Sequence, residues 1–137
     1  LSHDEEHHRF AIANLDAMGV PAPDAPAPDK VGLDHAAFTL PSAGALLDQY
    51  ERLKEKGVKP YWCIHHGLTL SMYYRDPDEN GVEFQVDCFD DPREAQSFIR
   101  GERFAANPVG ARYDAEELLA RRAAGASEQE LLRYPAS

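Results

Sequence analysis

From Leu33 to Cys88 the apolar residues recur first at every second position, then at helical spacing, then at every second position again. The run Leu33 to Leu40 (Leu-Asp-His-Ala-Ala-Phe-Thr-Leu) reads as a strand closed by Pro41. Across Ala45 to Lys56, Leu46, Leu47, Tyr50 and Leu53 fall on one helical face with charges between them, which predicts an amphipathic helix ended by Gly57. Pro60 to Ile64 predicts a short strand. Leu68 to Arg75 predicts another, with Leu68, Leu70, Met72 and Tyr74 on one face and Thr69, Ser71 and Tyr73 on the other. The turn-formers Asp76-Pro77-Asp78-Glu79-Asn80-Gly81 lead into a last strand, Val82 to Cys88, where Val82, Phe84 and Val86 alternate with Glu83, Gln85 and Asp87. The order strand, helix, strand, strand, strand is one complete βαβββ unit over residues 33–90, and the fold class is α+β.

The flanks differ in pattern. His7 to Asn14 is short and partly apolar and reads as a strand. Residues 15–32 carry Pro21, Pro23, Pro26 and Pro28 among Ala and Asp, a composition that sustains neither a helix nor a full sheet ladder and so reads as a stiff linker. Over 91–137 the pattern becomes helical. Helices are expected at Asp91 to Arg100 and at Asp114 to Ala124, the latter with Asp114 as N-cap and Gly125 just past its end. A further turn begins at Ser127, which has capping-box spacing with Glu130.

Composition then narrows the partners. A formal charge of −10 is the wrong sign for tracking phosphates, so nucleic acid is not expected to bind. The same acidity offers nothing to anionic lipid, and no apolar run approaches the roughly 20 residues needed to cross a bilayer. The first residues contain neither a basic n-region nor an apolar h-region, and Cys63 and Cys88 stand in unrelated contexts, so the expected location is cytoplasmic.

Alternation also selects the candidate chemistry. Glu83 and Gln85 point away from Val82, Phe84 and Val86, while His35 shares a face with Ala37 and Thr39. A curved sheet with its apolar core on the convex side would turn both His35 and Glu83 into one cavity. Neutral imidazole with carboxylate suits Fe(II), Mn(II), Zn or Ni. Taken alone the pair is a weak signal, because most such residues are solvated or satisfied locally.

The surrounding residues carry a resemblance. Gly-Leu-Asp-His-Ala-Ala-Phe in the first strand and Tyr-Tyr-Arg-Asp-Pro-Asp-Glu-Asn-Gly-Val-Glu-Phe at the last hairpin, with the βαβββ order, closely resemble the vicinal-oxygen-chelate superfamily of glyoxalases, bleomycin resistance proteins and extradiol dioxygenases. Glu6-His7-His8-Arg9-Phe10-Ala11-Ile12 and Trp62-Cys63-Ile64-His65-His66-Gly67 are most similar to small biphenyl-2,3-diol and catechol extradiol dioxygenases. The resemblance implies a curved mixed sheet around a cavity, with metal ligands at His35 and Glu83 and Fe(II) as the metal. It further implies that His8 borders the pocket, that His65 or His66 supplies an acid–base imidazole, and that Tyr73, ten residues before Glu83, donates a hydrogen bond to substrate. The implied substrates are a small catechol-type aromatic and dioxygen.

In that superfamily two modules build one site. Here residues 1–14 are expected to supply only the closing strand of the first module, with that module expected to be largely absent from this chain. The third ligand and half of the cavity wall are therefore expected from a separate segment or from another protomer of a homo-oligomer. Two other functions fit the same fold: a glyoxalase-like or epimerase-like lyase or isomerase using Zn, Ni or Co, and a metal-free protein that sequesters an aromatic ligand. The histidines at His8 and His65-His66 favour ring cleavage.

Overall fold

The structure, a computed structural model, describes Ile12 and residues 33–134. The upstream strand and linker expected before Leu33, His8 among them, lie outside the described residues apart from Ile12.

One mixed sheet organises the chain. β1 (His35–Thr39) runs parallel to β4 (Gly81–Asp87), and β4, β3 (Thr69–Arg75), β2 (Trp62–His65) and β5 (Ala111–Arg112) are successively antiparallel, in the order β1-β4-β3-β2-β5. Bringing β4 back alongside β1 in the same direction requires an excursion off the sheet. Helix α1 (Ala43–Glu55) begins that excursion. It starts earlier than its apolar period suggests, because the Ser42 side chain accepts from the Ala45 N–H at 3.0 Å and caps the helix directly after Pro41.

The helix buries Ala43, Leu46, Leu47 and Tyr50, a spacing that lines one face. Against it lie Leu70, Met72 and Tyr74 of β3 and Val86 of β4, as the strand alternation requires. Leu118 of α4 (Ala115–Ala123) and Leu131 of α5 (Glu128–Leu131) complete this core. All helices of the core thus cover one face of the sheet, and the same alternation sends Thr69, Ser71 and Tyr73 to the other face.

Beyond the sheet, α2 (Pro92–Ile99) and α4 start where Asp91 and Asp114 cap them, and Ser127 with Glu130 forms a reciprocal capping box on α5. Helix α3 (Glu102–Ala106) and strand β5 have no counterpart in the sequence reading. Five and two residues are too few to display a period. β5 nonetheless matters, because it pairs with β2 at Ile64↔Arg112 and His65↔Ala111 and covers that edge of the sheet. Among the described residues no helix is long and apolar enough to cross a membrane.

Candidate active site

The register of the sheet stacks the candidate side chains on the face away from α1. Ala37 of β1 lies opposite Glu83 of β4, Glu83 opposite Tyr73 of β3, and Tyr73 opposite Trp62 of β2. Directly opposed residues project to the same side. Glu83, Tyr73 and Trp62 therefore form a row, which His35 joins from the β1 end. His35 Nε2 stands 2.9 Å from Glu83 Oε2. The Tyr73 hydroxyl is 2.9 Å from His66 Nε2. The Tyr73 ring meets the His35 ring edge-on at 5.1 Å and packs against Trp62 at 5.0 Å.

The electrostatics follow from this packing. Glu83 is 4% exposed, and burial alone would push its carboxyl up. Hydrogen bonds from His35 and Ser71 outweigh that, so the group is held below the usual carboxylate value and is charged at neutral pH. The Glu83 carboxylate in turn raises His35 to about 9, against the opposing effect of burial and with help from Asp34. His66 behaves differently: burial drives its pKa down, more than Glu83 and the Val109 carbonyl push it up, and its imidazole is neutral near pH 7. Burial, then Glu83, raises the Tyr73 phenol, which stays protonated.

Two features speak to metal ligation. Donor atoms each about 2.1 Å from one cation and set at right angles stand about 3 Å apart, which matches the His35–Glu83 separation of 2.9 Å. The other His35 nitrogen, Nδ1, is 2.6 Å from Asp34 Oδ2, which leaves Nε2 as the nitrogen facing Glu83. Among the described residues no group of three His, Cys, Asp or Glu side chains is placed to hold a metal. His35 and Glu83 are a close imidazole–carboxylate pair.

Gly81 sets the position of His35. It pairs with His35 across β1 and β4, and a Cβ there would stand 2.3 Å from the Asp34 carbonyl oxygen and 2.8 Å from His35 Cβ. Gly81→Ala is therefore expected to push β1 away from β4, widen the 2.9 Å His35–Glu83 approach and weaken by on the order of tenfold the hold of that pair on any divalent cation it takes up, as loss of a ligand-orienting contact does. Anaerobic Fe(II) titration of the variant checks this, with unchanged affinity as the contrary result.

The structure separates His65 from His66. His66 follows the end of β2 and reaches Tyr73 on the site face. His65 lies on the core face, 2% exposed, and is not brought together with His35, Glu83 and Tyr73. Its Nδ1 accepts from the Gly67 N–H at 3.0 Å, its Nε2–H donates to the Leu132 carbonyl at 2.9 Å, and the Tyr134 ring stands edge-on at 5.0 Å. His65 thus anchors the C-terminal segment.

Protonating His65 would set Nδ1–H against the Gly67 N–H, and burial, the larger cause, already lowers its pKa from 6.5. The unfolded chain then takes up the proton first, so this stabilisation is complete above about pH 6.5 and declines as pH falls towards the lower native value. Thermal unfolding of the wild type between about pH 7 and about pH 5 is expected to show a steeper loss of stability than that of His65→Gln. Equal slopes would refute the anchoring role.

Two contributors were not visible in the sequence. Asp34 is adjacent to His35, yet strand alternation places it on the opposite face. Val109, whose carbonyl is 2.6 Å from His66 Nδ1, carries no chemical signal in its side chain.

The chain is also similar in sequence to known proteins. The family model described as Glyoxalase/Bleomycin resistance protein/Dioxygenase superfamily matches residues 2–84. The chain is similar to Biphenyl-2,3-diol 1,2-dioxygenase 3 of Rhodococcus globerulus, at 41% identity over 131 residues, covering 96% of this chain and 67% of that protein. It is similar also to Biphenyl-2,3-diol 1,2-dioxygenase 2 of the same organism, at 44% identity over 115 residues, covering 83% of this chain and 58% of that protein. No solved structure matches it.

Proposed function

Because the chain belongs to the Glyoxalase/Bleomycin resistance protein/Dioxygenase superfamily, we propose that it acts in extradiol ring cleavage of a catechol-type aromatic such as biphenyl-2,3-diol, with His35 and Glu83 as ligands of Fe(II). The observation that carries the reading is the approach of His35 Nε2 to Glu83 Oε2 at 2.9 Å on the face opposite the core. A buried carboxylate held charged beside an imidazole nitrogen is a donor pair suited to a divalent first-row cation. The donors alone do not separate Fe(II) from Mn(II), Zn or Ni. Reaction with dioxygen requires a metal that changes oxidation state, which excludes Zn, and the names of both relatives, as dioxygenases, favour oxygen chemistry over a lyase or isomerase.

When bound, the iron supplies the redox chemistry by which dioxygen is delivered to the aromatic ring. The remaining work falls to this chain's side chains. His66, neutral and with Nε2 turned to the site, accepts the phenolic proton of the substrate and returns it to a leaving oxygen. Tyr73, protonated throughout, orients a substrate oxygen by hydrogen bonding. Trp62 packs against Tyr73 and limits the ways in which that phenol can turn. His8 borders the pocket in this reading, and His65 has no role at the reacting atoms.

The chain spans 67% and 58% of the two relatives, and a further ligand and cavity wall are proposed to come from a second βαβββ module or another copy of the chain. Anaerobic loading of the full chain with Fe(II), followed by 2,3-dihydroxybiphenyl or catechol and oxygen, is expected to consume oxygen and give a yellow ring-opened product. No turnover across a broad catechol panel by iron-loaded protein would count against the proposal.

A further inference from the structure

His66 is held from behind by a loop of the C-terminal extension. Its Nδ1 lies 2.6 Å from the carbonyl oxygen of Val109. A carbonyl oxygen only accepts, so Nδ1 carries the hydrogen, and in the neutral ring Nε2 is left bare to accept from the Tyr73 hydroxyl. The tautomer of the proposed acid–base group is thus decided 43 residues away in sequence.

The loop presenting that carbonyl is closed by a two-bond clasp. Asn107 Nδ2 donates to the Gly110 carbonyl at 2.8 Å, and the Gly110 N–H donates to Asn107 Oδ1 at 3.0 Å. Gly110 also presses on the site segment itself. A Cβ at Gly110 would stand 2.2 Å from the His65 carbonyl oxygen and 2.8 Å from His66 Cα, and its φ of +108° lies in the region that side chains avoid. Ala111 then pairs with His65 in the sheet. Clasp, close approach and strand pairing all fix residues 107–110 against His66.

We propose that the 107–110 loop is a positioning element for His66, with Asn107 and Gly110 as positioning residues that keep the Val109 carbonyl on Nδ1 and thereby keep Nε2 without a hydrogen, able to accept from Tyr73 and to take up the substrate's proton. The effect on turnover rests on the dioxygenase reading; the tautomer does not. Nitrogen-15 spectra of the metal-free full chain test it directly. The wild type is expected to show His66 as the Nδ1–H tautomer. Asn107→Ala is expected to populate the Nε2–H form and to lower kcat by between about tenfold and about 100-fold, with KM and iron stoichiometry unchanged. Asn107→Asp keeps the oxygen that accepts from Gly110 and is expected to retain the wild-type tautomer.

A wild-type His66 in the Nε2–H form would overturn the inference even if no variant folds. So would an unchanged tautomer in Asn107→Ala whose Gly110 amide has become freely exchanging. If no variant, wild type included, cleaves a catechol, the dioxygenase reading fails while the tautomer comparison still decides the positioning.

Discussion

Glu83→Ala is expected to abolish stoichiometric iron binding while leaving the fold intact. Glu83 projects from β4 to the face away from α1, whereas the core is built from its neighbours Phe84 and Val86 on the other face. Removing its carboxylate therefore takes nothing from the helix-covered core. It does take away the carboxylate that faces His35 Nε2 among the described residues, and a lone, partly exposed imidazole binds a divalent cation weakly. Outer contacts that merely orient a ligand are worth about tenfold to about 100-fold in affinity, so loss of a ligand is expected to exceed about 100-fold. The same substitution removes the main cause that holds His35 near 9 and should return it towards 6.5. Iron content after anaerobic loading and desalting, read beside the circular dichroism spectrum, checks both parts. A variant that keeps one iron would show the assignment of Glu83 to be wrong.

His66→Gln is expected to do the opposite, keeping iron and losing turnover. The imidazole touches Tyr73 and the Val109 carbonyl, and neither is a proposed ligand. Glutamine can preserve a hydrogen bond to Tyr73 but has no group that takes up a proton near neutral pH. A positioned general acid–base group contributes about 10²-fold to about 10⁴-fold, and kcat for a catechol should fall within that range with KM little changed. Steady-state oxygen uptake measures it. A variant with unaltered kcat would remove His66 from the mechanism.

Much of the site was legible because a strand exposes alternate residues. Counting by twos along β3 and β4 puts Tyr73 and Glu83 on the non-core face, and counting along β1 puts His35 with Ala37. The pairing register, which alternation does not specify, is what sets Tyr73 directly beside Glu83. Alternation could not choose between His65 and His66, since the choice depends on where β2 ends. A strand expected over Pro60 to Ile64 leaves both histidines in a loop; the actual strand, Trp62–His65, commits His65 to the core side and releases His66. The support for His66 was illegible for a different reason. Val109 acts through its backbone oxygen, and its loop reaches the site only because β5, two residues long, pairs with β2. Such contacts arise from tertiary packing and leave no local period.

Adding Fe(II) anaerobically to the nitrogen-15-labelled full chain tests most directly whether His35 and Glu83 share one cation, because a paramagnetic ion broadens resonances according to their distance from it. The first equivalent is expected to broaden the His35 imidazole and the amides of Ala37 and Glu83, to displace the proton that His35 holds at neutral pH, and to leave His65 sharp. Broadening centred on the acidic turn at Asp76 to Asn80, or on any other histidine, with His35 unchanged would contradict this expectation.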